Sequence, residues 1–187
     1  GSDDWWQHIS GPQIEAVDGA YRVTFWWRDP AGNETSSAIQ RVWIYITGVT
    51  DHHKNAVPQT LRRIPGTDAW YWQTTLSPTW RGSYCFIPSA RDDDFSPQLF
   101  NGDGPDRALL REGWRRLLPQ AIADPLNPQS WKGGRGHAVS ALELPAAPEQ
   151  PGWAMRDEPY PPPLCIEWQS QRLGNRRRIW VYATGDA

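Results

Sequence analysis

Apolar residues fall on every second position between Tyr21 and Arg28: Tyr21, Val23, Phe25 and Trp27 point one way, Arg22 and Thr24 the other. That period predicts a strand with one face in a core. Asp29-Pro30-Ala31-Gly32-Asn33 then predicts a turn. Arg41 to Thr47 is apolar on both faces, the pattern of a central strand. Further strands are predicted from about Gln59 to Ile64, from Ala69 to Leu76 and from Gly82 to Ile87; in the second of these Trp70, Trp72, Thr74 and Leu76 share a face. Gly, Pro and Asp separate these strands at short intervals, which predicts an antiparallel sandwich rather than a parallel α/β sheet.

The period changes after Ser89. A loop rich in Asp, Pro and Gly leads to a helix predicted over Pro105 to Leu118, with Leu110, Trp114, Leu117 and Leu118 on one face and Arg107, Arg111 and Arg115 on the other. A short helix is also predicted at residues 3–9, with Asp3 and Asp4 in its first turn. His137 to Leu144 reads as the last strand of the sandwich. Pro145 to Pro163 carries seven prolines, including Pro161-Pro162-Pro163, and is expected to be a stiff, extended linker. Leu164 to Gln171 and Arg177 to Thr184 then predict a hairpin around Gly174-Asn175. A lone two-stranded hairpin is marginal in water, so it is expected to open a second domain beyond Ala187. The organisation read from the sequence is a sandwich over 1–144, a linker over 145–163 and the start of another domain over 164–187.

Composition sharpens this picture. Thirteen Trp and 18 Pro stand against 4 Phe and 1 Met in 187 residues, a balance that suits strands and loops better than long helices. The net charge of −2 supplies no basic field, so neither nucleic acid nor a membrane surface is expected as a partner. Lys occurs only at Lys54 and Lys132; the other cations are Arg, whose planar fork binds anions and stacks on rings. Cys85 and Cys165 are too few for a disulfide framework and fit a reducing cytoplasm. No His/Cys cluster suggests a metal, and no apolar run reaches membrane-spanning length.

Several long strings carry a family resemblance. Val23-Thr24-Phe25-Trp26-Trp27-Arg28-Asp29-Pro30, the stretch from Arg41-Val42-Trp43 to Asp51-His52-His53, and Trp80-Arg81-Gly82-Ser83-Tyr84-Cys85-Phe86-Ile87-Pro88 resemble the amino-terminal domain of enterochelin (ferric enterobactin) esterases. So do Leu118-Pro119-Gln120 through Asn127, and Ser130-Trp131-Lys132 through Ser140. The resemblance implies an immunoglobulin-like β-sandwich with one or two short helices, followed by the linker and the first hairpin of an α/β-hydrolase domain. It implies a cytoplasmic parent enzyme that hydrolyses the trilactone of ferric enterobactin with a serine apparatus in its carboxy-terminal domain. The expected partners are therefore ferric enterobactin and that hydrolase domain. No cofactor is implied, because the iron belongs to the substrate.

The nucleophile elbow of such hydrolases, G-x-S-x-G, occurs nowhere in the chain, so no catalytic residue is expected within it. A ferric tris-catecholate is a trianion with aromatic faces, which calls for cations beside aromatic rings. Trp131, Lys132, Arg135 and His137 supply these types in what reads as one glycine-rich loop. His52 and His53 are a second candidate pair, able to cap an active site. Against these readings stand ordinary ones: glycines that serve turns, loop histidines that are solvated, an arginine helix face that is solvated or pairs with Asp92-Asp93-Asp94. One ring of the Trp26-Trp27 doublet is expected in the core. Two other functions remain open on these residues: a carbohydrate-binding module, which a Trp-rich sandwich suits, and a scaffold that binds nothing by itself.

Overall fold

The computed structural model describes residues 2–100, 102–132, 138–150 and 163–182. It divides into two compact units, residues 1–148 and 149–187. The larger unit is strand-dominated and antiparallel throughout its two sheets.

The first sheet has the order β1-β2-β6-β5, built from β1 (Gln13–Val17), β2 (Ala20–Arg28), β6 (Ala69–Leu76) and β5 (Arg62–Arg63). The second has the order β4-β3-β7-β9-β8, built from β4 (Gln59–Thr60), β3 (Arg41–Ile46), β7 (Arg81–Ser89), β9 (Ala138–Glu143) and β8 (Ser130–Lys132). Alternation places the side chains as expected. Val23, Phe25 and Trp27 of β2 and Trp70 and Leu76 of β6 enter one buried cluster. From the second sheet Val42, Ile44 and Ile46 of β3, Tyr84 and Phe86 of β7, and Leu142 of β9 enter the same cluster, so the two sheets share a core.

The opposite face of the second sheet is also covered, which is why β3 is apolar on both faces. Helix α2 (Arg107–Leu117) presents Leu110, Trp114 and Leu117 to Trp43, Cys85, Ile87 and Val139. Asp106 caps the helix, accepting the backbone N–H groups of Ala108 and Leu109 at 2.9 and 3.0 Å. Gly113 faces this layer because a Cβ there would stand 2.4 Å from the Phe95 ring, which packs edge-on against Trp114 at 5.1 Å.

Trp27 is the core ring of its doublet, 3% exposed. Trp26 lies on the other face of β2, where helix α1 (Asp3–Gln7) covers it: Trp5 meets it edge-on at 5.0 Å, and its indole N–H donates to Gln13 Oε1 at 2.9 Å.

Three stretches differ from the sequence expectation. Strand β1 answers to no periodicity, since its residues are mostly exposed; it is held by a two-residue turn at Asp18-Gly19, both with positive φ, the geometry that returns a strand onto its neighbour. Gln59 to Ile64 is not one strand. Its first half pairs with β3 and its second with β6, and Leu61 between them is 2% exposed where the chain crosses from sheet to sheet. Trp131 and Lys132 do not sit in a loop: they form edge strand β8, with Trp131 opposite Val139 and Lys132 opposite Ala138.

The smaller unit contains the hairpin of β10 (Leu164–Ser170) and β11 (Asn175–Val181), with Gly174 at positive φ in its turn. Leu164, Ile166, Trp168, Ile179 and Trp180 are all exposed, so among the described residues of this unit neither face of the hairpin is covered.

Candidate functional site

The Asp51-His52-His53 segment is positioned by the end of β3. The Thr50 hydroxyl donates to the Ile44 carbonyl and accepts the Ile46 N–H, both at 2.8 Å, which closes the strand and turns the chain outward. His52–Lys54 then forms one 3-10 turn, ended by Asn55 in the left-handed region at φ 50°. The His52 and His53 rings lie 4.1 Å apart, tilted by 36°. His53 is exposed, whereas His52 is half-buried and faces α2.

Between the turn and the helix lies a concavity of about 320 Å³, lined by His52, Arg111, Trp114, Arg115 and Leu118. Arg111 and Arg115 are four residues apart, hence on one helix face. Neither makes an ion pair among the described residues. Of the neighbouring cations, Arg116 instead donates to the Asp94 carbonyl, and Arg91 pairs with Asp93 at 2.9 Å. The Asp92–Asp94 run therefore leaves Arg111 and Arg115 unneutralised. Two polar groups here are buried without a hydrogen-bond partner: the Trp114 indole N–H and both carboxylate oxygens of Asp51.

The second candidate region is divided by the structure. Trp131 and Lys132 belong to β8, at the edge of the second sheet. Arg135 and His137 lie outside the described residues.

Beside β9 lies a buried polar node that the sequence did not announce. Asp124 is 3% exposed; its carboxylate accepts the Tyr84 hydroxyl at 2.7 Å and the Leu126 N–H at 2.9 Å. Asn127 donates to the Tyr84 hydroxyl at 3.0 Å, and the Asp124 N–H donates to Ser140 Oγ at 2.8 Å. Burial raises the Asp124 carboxyl above its ordinary range, against the opposing pull of the Tyr84 and Leu126 hydrogen bonds. Burial, reinforced by the Asp124 charge, likewise pushes the Tyr84 phenol up. Two backbone hydrogen bonds between Phe86 and Ile122, at 2.8 and 3.0 Å, complete this anchor. The node holds the 118–129 segment against β7 and β9 and is sealed from solvent, so its work is structural.

Among the described residues no three His, Cys, Asp or Glu side chains gather as a metal site, and no helix is long and apolar enough to cross a membrane.

Two antiparallel sheets around one core, with a helix layered on the outer face of the second, define a strand-dominated class of domain. The chain belongs to the family described as "Enterochelin esterase, N-terminal", whose model matches residues 22–153. It is 61% identical over 188 residues to the iron(III) enterobactin esterase of Escherichia coli O6:H1 strain CFT073, covering 100% of this chain and 46% of that protein. The crystal structure of ferric enterobactin esterase from Salmonella typhimurium superposes with a TM-score of 0.87 at 65% identity, over 99% of this chain and 47% of that one. The Shigella flexneri enterobactin esterase crystallised in the presence of enterobactin gives 0.73 at 59%, over 100% and 46%. The chain thus spans about half the length of the relatives it matches.

Proposed function

We propose that this chain is the amino-terminal, non-catalytic part of a cytoplasmic esterase that hydrolyses the trilactone of ferric enterobactin, and that it serves there as a lid that helps position the substrate. The observation that carries the reading is the family match over residues 22–153, in a chain that covers 46% of an iron(III) enterobactin esterase. The absence of G-x-S-x-G from all 187 residues agrees with a catalytic apparatus located elsewhere in the parent. Two facing antiparallel sheets suit an immunoglobulin-like sandwich over 1–144. The hairpin at 164–182, whose apolar face of Leu164, Ile166, Trp168, Ile179 and Val181 is exposed, suits the opening of a hydrolase domain that would cover it, with 145–163 as the linker.

In this reading Trp131, Lys132, Arg135 and His137, with His52 and His53, face the ferric siderophore. Cations beside aromatic rings match its charge and its catecholate faces, at ~0.5–2 kcal/mol for each cation–π contact. Iron enters as part of the substrate, and no cofactor is required. The partners are ferric enterobactin and the parent's own hydrolase half.

Calorimetric titration of the 187-residue chain with ferric enterobactin tests the positioning role, with an Arg135→Ala variant and a maltooligosaccharide as controls. Saturable heat with the siderophore, weakened by the variant, is the expected result. No heat with the siderophore reduces the domain to a scaffold, and heat with the sugar instead overturns the assignment. The chain alone is expected to release no dihydroxybenzoyl product from enterobactin.

A further inference from the structure

We infer that the concavity between the His52–Lys54 turn and helix α2 is a binding site for a small oxyanion, a carboxylate or a phosphate, held by Arg111 and Arg115 with His52 at its rim. This goes beyond the esterase reading and needs no siderophore. Three observations meet there. Arg111 and Arg115 lie one helical turn apart and line the same concavity of about 320 Å³, a volume at the lower end of small-ligand sites. Neither guanidinium is neutralised by an ion pair among the described residues, although Asp92, Asp93 and Asp94 lie close by in the chain and engage Arg91 and other groups. The Trp114 side chain, 0% exposed, forms part of the wall.

Two guanidiniums offer forked donors matched to the two oxygens of a carboxylate or the edge of a phosphate. The acidic groups that oppose an anion are Asp51, buried immediately before His52, and Glu112, exposed on α2. Of these charged groups only Arg111 and Arg115 line the concavity.

The test is a titration of the 187-residue chain followed by the indole N–H resonance of Trp114. Inorganic phosphate and sodium benzoate are the probes, with sodium chloride at matched ionic strength as reference. Saturable movement of that resonance with phosphate, with benzoate or with both supports the site and tells which oxyanion it takes. Arg111→Gln and Arg115→Gln should each weaken binding about tenfold or more. Arg107→Gln removes the same charge from the same helix outside the concavity and should change affinity less than about twofold, an exposed and screened charge being worth little. Near-ultraviolet circular dichroism identical to the parent's shows that each variant keeps its tryptophan packing. No movement with either probe overturns the site. Equal weakening by Arg107→Gln and Arg115→Gln also overturns it, leaving only a diffuse basic surface. Neither result bears on the esterase reading, which rests on the siderophore titration.

Discussion

The turn after β2 depends on a buried ion pair whose removal has a calculable cost. Asp29, with its side chain 0% exposed, accepts from Arg63 at 2.6 Å, and the Arg63 side chain is only 10% exposed. Arg63 also donates to the carbonyls of Gly32 and Thr67, at 2.8 and 3.2 Å, and its guanidinium stacks 4.4 Å from the Trp70 ring centroid. Arg63→Met keeps an apolar stem over Trp70 and deletes the charge. Asp29 is then left with the Ser37 hydroxyl at 2.6 Å and the Ala31 N–H at 3.0 Å, neither of which neutralises it. Breaking one side of a buried pair costs ~3–5 kcal/mol. With a urea slope of ~1–3 kcal/mol per molar, the unfolding midpoint should fall by roughly 1–5 M. Tryptophan fluorescence during urea unfolding measures it. The double variant Asp29→Asn/Arg63→Met should be more stable than Arg63→Met alone, because no charge remains buried without a counterion. A loss below ~1 kcal/mol for Arg63→Met, or a double variant less stable than the single, would refute the argument.

Other perturbations separate the remaining contributions. Tyr84→Phe removes the donor to Asp124 and should cost about 1–3 kcal/mol in the same unfolding assay. Because burial raises the Asp124 carboxyl, the folded state holds this proton more tightly than the unfolded state does. The stability lost to its ionisation is therefore regained as the pH falls through the folded-state value toward the unfolded one; Asp124→Asn, which cannot ionise, should abolish that acid-side gain in a pH series of melting temperatures. Gly113→Ala gains about 1 kcal/mol in helix propensity but drives a methyl into the Phe95 ring at 2.4 Å, where overpacking costs ~1–3 kcal/mol; a net loss is expected by thermal unfolding. Asp106→Ala removes the cap of α2 and should cost ~1 kcal/mol by the same measurement.

Much of the architecture was legible from local pattern. A period of two is a property of the strand itself, so Val23, Phe25 and Trp27, or Val42, Ile44 and Ile46, declare a common face without knowledge of the partner. The helical period likewise set Leu110, Trp114 and Leu117 on the buried side of α2. Strand β1 was not read from periodicity; the Asp18-Gly19 turn, with both residues at positive φ, accounts for it in the structure. Other features had no local signature. Leu61 marks a crossing between sheets only because β3 and β6, its neighbours' partners, belong to different layers. Tyr84 and Asp124 stand 40 residues apart, and the docking of the 118–129 segment against β7 and β9 brings them to 2.7 Å. Arg111 and Arg115 read as a solvated face from helical spacing; the turn after β3, closed by Thr50, sets His52 opposite them and makes a concavity of that face. Periodicity reports which side of an element is apolar, because that depends on the chain's own geometry. It is blind to which polar groups meet across the core, because that depends on the packing of elements distant in the chain.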